Sequence, residues 1–170
     1  MTTDKEPAMQ TNHSALLTTP AIGSLWQGQG GIYGGIRQDD NGELYHLIFA
    51  TEDVGEHAWG EYGTSTTATS KSNGLVNTKA LLDYDSPFPA AQAASQYTAD
   101  GHQDFFLPSI GELHQGWQNI AEHFKRTWYW SSSQRSAHYA FHMHFDDGYQ
   151  HNVVKGGELH VRPVRRLPIR

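Results

Sequence analysis

From His138 to Phe145 apolar and polar residues alternate with a period of two. Tyr139, Phe141, Met143 and Phe145 fall on one side and His138, Ala140, His142 and His144 on the other, the pattern of a half-buried strand. Asp147-Gly148 supplies the residue types of a two-residue hairpin turn, because Gly tolerates positive φ. A returning strand over Tyr149 to Val154 follows, then a break at Gly156-Gly157. A closing strand ends in Val161-Arg162-Pro163-Val164-Arg165-Arg166. Upstream, Leu44 to Thr51 reads as a buried strand and Asn41-Gly42 as a turn. With Leu25, Trp26, Ile32, Tyr33 and Ile36 spaced by glycines, residues 23–51 predict an opening hairpin. The glycines of GQGGIYGG let two backbones approach closely or mark bulges. A phosphate-cradling loop would need a Lys-Ser/Thr and a following helix, and neither is present.

Two helices are expected. The first spans Pro89 to Tyr97, with Pro near its start and Asp100-Gly101 as its stop. The second starts at Pro108-Ser109, with Ser109 as N-cap and Glu112 completing a capping box. Leu113, Trp117, Ile120, Ala121 and Phe124 then follow at helical spacing, a core-facing stripe. Asn77 to Leu82 allows a short earlier turn. Between strand and helix, residues 52–77 form a long polar loop carrying Trp59 and Tyr62, aromatics that could stack on a ligand but are read first as staples to the core. Met1 to Pro20 is polar and Thr-rich, with Ala15-Leu16-Leu17 its one apolar knot. It reads as a flexible tail or as an arm that orders on docking to another subunit.

Composition narrows the class. The 170 residues suit one domain, assigned to 21–170 behind the arm at 1–20. Seventeen glycines, 12% aromatics and 37% hydrophobic residues point to a turn-rich, loop-heavy β or α+β protein. The expected strands and helices make it α+β, with twisted antiparallel β-sheets, two α-helices and long loops. A net charge of −6 argues against sequence-independent nucleic-acid binding. No cysteine means no disulfide framework and no thiolate zinc site. No basic end joined to an apolar segment reads as a signal peptide, and no run approaches the roughly 20 apolar residues of a membrane span.

Candidate chemistry concentrates in histidine. His142 and His144 share one strand face, and the two-residue turn would set His151 across from His144, three imidazoles able to bind zinc, nickel or iron. The competing reading is the wet face of a half-exposed hairpin, and no metal or cofactor is assigned. Ser131, Ser132 and Ser133 lack a nucleophile elbow. The carboxylate pairs Asp39/Asp40, Glu52/Asp53 and Asp146/Asp147 sit at turns, where local backbone bonding accounts for them. Arg162, Arg165 and Arg166 are expected to pair with carboxylates and lock the last strand, or to touch a neighbouring subunit.

The order Trp-Ser-Ser-Ser, hydrophobic strand, Gly turn, Lys and Arg-Pro-Val-Arg resembles the Lcl C-terminal domain family, found in bacterial surface proteins and tailed-phage virion proteins. The resemblance extends back through Glu112-Leu113 and Phe106-Leu107-Pro108-Ser109 to about Gly23. It implies a fold similar to C-type lectins, to formylglycine-generating enzymes and to the variable proteins of diversity-generating retroelements. Lacking cysteine, the chain departs from the formylglycine-generating branch. Lacking Glu-Pro-Asn and Trp-Asn-Asp motifs, it departs from calcium-dependent sugar binding. In the retroelement proteins the side chains after Trp-Ser-Ser-Ser face ligand. Carried over, this singles out Gln134, Arg135, Ser136, His138 and Tyr139, with His142 and His144. The implied function is a non-enzymatic virion protein of tail, collar or capsid, assembled in the host cytoplasm. Its arm would dock on other virion proteins, and its lectin-like face would meet a host receptor or glycan. A bacterial ligand- or glycan-binding adhesion module is the alternative.

Overall fold

The computed structural model describes residues 18–170, so the expected arm falls almost wholly outside the described residues. The opening segment forms β1 (Leu25–Trp26), β2 (Gly31–Gln38), β3 (Leu44–Phe49) and β4 (Glu56–Ala58). Three helices follow: α1 (Gly74–Leu82), α2 (Pro89–Gln96) and α3 (Ile110–Ile120). The chain closes with β5 (Trp128–Gln134), β6 (Tyr139–His144), β7 (Gln150–Val154), β8 (Glu158–His160) and β9 (Val164–Pro168). The result is a mixed α+β fold with two curled sheets. The first runs β1-β2-β3-β9 and the second β4-β8-β5-β6-β7. Pairing is antiparallel except for one parallel bridge between Tyr129 and His160.

The opening hairpin forms as expected, with Gly42 closing the β2–β3 turn at φ +83°. Its glycines are packing residues. A Cβ at Gly31 would overlap the Phe49 carbonyl and one at Gly34 the Phe49 ring, while Gly35, at φ +103°, lies where the register shifts between Tyr33 and Ile36. The expected closing strand divides. β8 stays with the second sheet and β9 crosses to pair with β3, so the last strand completes the first sheet. Pro163, which has no N–H to give a ladder, sits at the crossover.

Helix α3 matches its sequence signals. Ser109 Oγ accepts from Glu112 N at 3.1 Å, and Glu112 Oε2 accepts from Ser109 N at 2.8 Å. Three helices replace the expected two, because α1 is a full nine residues. Beside Gly74 and Leu81, its buried residues are the polar Asn77 and Thr78. Asn77 Nδ2 donates to Ser70 O at 2.7 Å, and Thr78 Oγ1 donates to Leu107 O while accepting from Leu107 N. A helix held by side-chain hydrogen bonds leaves no apolar stripe to read.

Two large apolar clusters make most of the core, and Trp26, Tyr33 and Ile48 form a smaller third one on the first sheet. Tyr45, Leu47, Phe49, Leu113, Tyr129, Met143 and Phe145 fill the space where the sheets meet α3. Trp59, Phe88, Ala91, Ala94, Leu107 and Trp130 pack beneath α1 and α2. Trp59 is the expected staple, fully buried with Nε1 donating to Ser131 O at 2.8 Å. Tyr62, expected to act with it, stays on the surface.

The β6–β7 hairpin corrects the sequence reading. The turn takes four residues, 145–148, and His142 rather than His144 lies opposite His151. Phe145 leaves the strand to stack on Phe124, at a centroid distance of 4.0 Å, and Gly148 passes directly over the Trp117 ring. These anchors widen the turn. The slip is by an even number of residues, so each side chain keeps its face.

Candidate binding surface

Residues 135–138 form the turn between β5 and β6, and Tyr139 opens β6. Arg135 N and Ser136 N donate to Tyr139 O, and Ser136 Oγ accepts from the His138 and Tyr139 N–H groups. Spending its polar atoms on backbone, the turn exposes Arg135, His138 and Tyr139. Tyr62 packs against His138 with centroids 4.4 Å apart, bringing the 61–66 loop to the same rim. Of the residues singled out from sequence, Arg135, His138 and Tyr139 therefore meet on one exposed rim, with Ser136 shaping it.

Gln134 lies below the rim and does not face solvent. Its Oε1 accepts from Thr66 N and Thr66 Oγ1, both at 2.9 Å, and from Lys155 Nζ at 2.8 Å. Lys155 is fully buried, donates also to Thr64 O at 2.7 Å, and lies 4.7 Å from the Trp59 ring centroid. Burial pushes its ammonium down to about 8. This node ties β5, the 61–66 loop and the end of β7 into one support. Lys155 is the Lys of the motif order that carries the family resemblance, but sequence reasoning gave it no role.

The imidazole face of β6 is not the wet surface expected. His142 is buried and stacked on Trp128, with centroids 4.1 Å apart and planes 15° apart. Burial, then the neighbouring His151 and His144, push it down to about 4. Its Nδ1 has no hydrogen-bond partner, as suits a neutral ring protonated on Nε2. His144 is half-buried, accepting on Nδ1 from Asp146 N at 3.3 Å. His151 is exposed, parallel to Tyr149. Among the described residues, no three His, Asp or Glu side chains are placed to hold a metal ion. Trp128, Tyr149 and His151 form an aromatic strip on this face, a feature missed from sequence because the strand pairing that brings Trp128 beside Tyr149 is not local.

Other candidate groups serve the scaffold. Ser131 Oγ donates to Phe141 O at 2.7 Å, Ser133 Oγ donates to Ser70 O at 2.8 Å, and Ser132 Oγ accepts from Asn77 Nδ2. Arg162 pairs with Asp53 at 2.7 Å, Arg165 with Asp104 at 2.8 Å, and Arg166 with Asp39 at 3.3 Å and Glu112 at 3.6 Å. The expected role of the arginines in locking the last strand is met. Among the described residues, no helix is long and apolar enough to cross a membrane. No family model matches the chain, and no curated protein matches it.

Proposed function

We propose that this chain is a C-type-lectin-like binding domain without catalytic activity, serving as a structural and recognition component of a tailed-phage virion. The lectin-like reading is supported by β9 pairing with the opening hairpin, which brings both ends of the domain to one sheet while the second sheet carries the loops. One observation carries the binding role: the exposed rim of Tyr62, Arg135, His138 and Tyr139 rests on the buried Lys155–Gln134–Thr66 node. A rim whose supports are internally satisfied presents its side chains at little ordering cost. Tyr and His supply adaptable, amphipathic contacts. The virion setting rests on the family resemblance, with residues 1–20 as the docking arm.

The test is co-sedimentation with virion proteins encoded beside this one, comparing the full chain with a chain lacking residues 1–20. The expected outcome is co-sedimentation of the full chain and its loss on truncation. Equal or absent binding by both forms would overturn the virion reading. The rim is tested separately by glycan-array binding of the full chain. Tyr62→Ala and His138→Ala should each weaken any positive signal by roughly tenfold, the effect of one lost aromatic contact, without lowering the melting temperature.

A further inference from the structure

The second sheet ends on β7, and this edge is unlike the others. Sheet edges in soluble proteins are blunted by shortness, by charge or by cover. Strand β1 has two residues, β4 has three and carries Glu56, and β9 carries Arg165 and Arg166 with Phe106 bridged to Val164. Strand β7 is five residues long, Gln150-His151-Asn152-Val153-Val154, without an Asp, Glu, Lys or Arg.

Its register decides which backbone groups face out. Tyr149 O accepts from His144 N at 2.9 Å, and Lys155 N donates to His138 O at 3.1 Å. Residues 149, 151, 153 and 155 therefore turn their backbone groups toward β6, and Gln150, Asn152 and Val154 turn theirs outward. Among the described residues those three outward N–H groups meet no acceptor. Two outward carbonyls are in use, Asn152 O by His151 Nδ1 at 2.9 Å and Val154 O by Gly157 N at 3.1 Å, and each keeps a second lone pair. Exposed Tyr149, Tyr139 and Val154 flank the edge.

We propose that β7 pairs antiparallel with β7 of a second copy of this chain, around a two-fold axis at Asn152. The strand is self-complementary in that register. Asn152 meets its own counterpart, Gln150 meets Val154, and no like charges oppose one another. Every outward N–H finds an outward C=O, and the five-stranded sheet continues into its copy. The His151 ring must swing off the Asn152 carbonyl, which weakens the pairing. The two aromatic strips of Trp128, Tyr149 and His151 come together on one face of the doubled sheet. The pairing is made by the backbone of β7; of the rim residues Tyr139 alone flanks this edge, and the proposal does not rest on the recognition role.

Sedimentation of the full chain across roughly 1–300 µM tests this, a range suited to a small interface. The expected result is a reversible dimer. Asn152→Pro removes an outward donor and no bond to β6, so circular dichroism and melting should match the wild type while the dimer is lost. Asn152→Lys places charge against charge at the axis and should raise the dissociation constant at least about tenfold, whatever the fate of the proline variant. His151→Ala should tighten the dimer. A monomer at every concentration, an assembly larger than a dimer, or a dimer indifferent to Asn152→Lys overturns the proposal.

Discussion

Lys155 holds its ammonium against a carbonyl, an amide oxygen and an indole face, with burial pushing it down to about 8 from an ordinary 10.5. Between those values the unfolded chain binds more protons than the folded one, so stability rises with pH across that window. Urea midpoints of the wild type should climb from pH 8 to pH 10 relative to Lys155→Met. Parallel pH profiles would mean that the lysine is not desolvated. His142 acts at the acid end. Its folded value near 4 lies below the ordinary 6.5, so the wild type should lose stability as pH falls through that interval. His142→Phe keeps the stack on Trp128 and should lose less between pH 7 and pH 5 in the same assay. Neither effect was legible in the sequence. Alternation along β6 tells which side His142 occupies, but not that Trp128 covers that side.

At the scale of elements, Glu112 explains why α3 was readable and α1 was not. The Ser109–Glu112 cap is local in sequence and was identified from spacing alone. Yet the same carboxylate, fully buried, also accepts from Gly74 N at 3.0 Å and from the Tyr45 hydroxyl at 2.8 Å, so it starts two helices and holds β3. Glu112→Gln replaces one oxygen by an amino group facing donors, and should cost about 2–4 kcal/mol in urea unfolding, in the range of a broken buried network. Gly74→Ala should fail by sterics, since a Cβ there would overlap Glu112 Oε2 and crowd Ser109 N. A Gly74→Ala protein as stable as the wild type would refute this packing of α1 on α3. The start of α1 does carry a local signal, Asn73 accepting from Val76 N at 3.1 Å, which the sequence reading passed over, but its bond to Glu112 spans 38 residues and could not be read from spacing. Likewise, Phe145 and Trp117 set the β6–β7 turn by distant packing, and turn-residue types alone misplaced the register by two.

Across the whole molecule, Arg162, Arg165 and Arg166 close the structure by reaching back, chiefly to segments that precede α3 or begin it and, for Arg162, also to the segment that follows α3. Arg162 binds Asp53, which also accepts from the Tyr129 hydroxyl, and its guanidinium reaches Ala50 O and His123 O. Arg166 stacks on Tyr45 with its centre 3.9 Å from the ring, and joins the β2–β3 turn at Asp39 to Asn73, the cap of α1, and to Glu112. Arg165 pairs with Asp104, which is 57% exposed, unlike the buried Asp53, Asp39 and Glu112. That the arginines would lock the last strand followed from their charge and position. Which carboxylates they would meet did not, because the partners lie from 54 residues (Arg166 to Glu112) to 127 residues away. Removing a cation from a buried carboxylate leaves that charge uncompensated, whereas a solvated carboxylate recovers water. Arg162→Leu and Arg166→Leu should therefore each cost about 3–5 kcal/mol in urea unfolding. Arg165→Leu should cost less, since water replaces much of its ion pair and only its bonds to Gln29 add to the loss. If Arg165→Leu proved the most damaging of the three, closure would depend on the Gln29 loop rather than on the buried carboxylates, and the order argued from burial would be wrong.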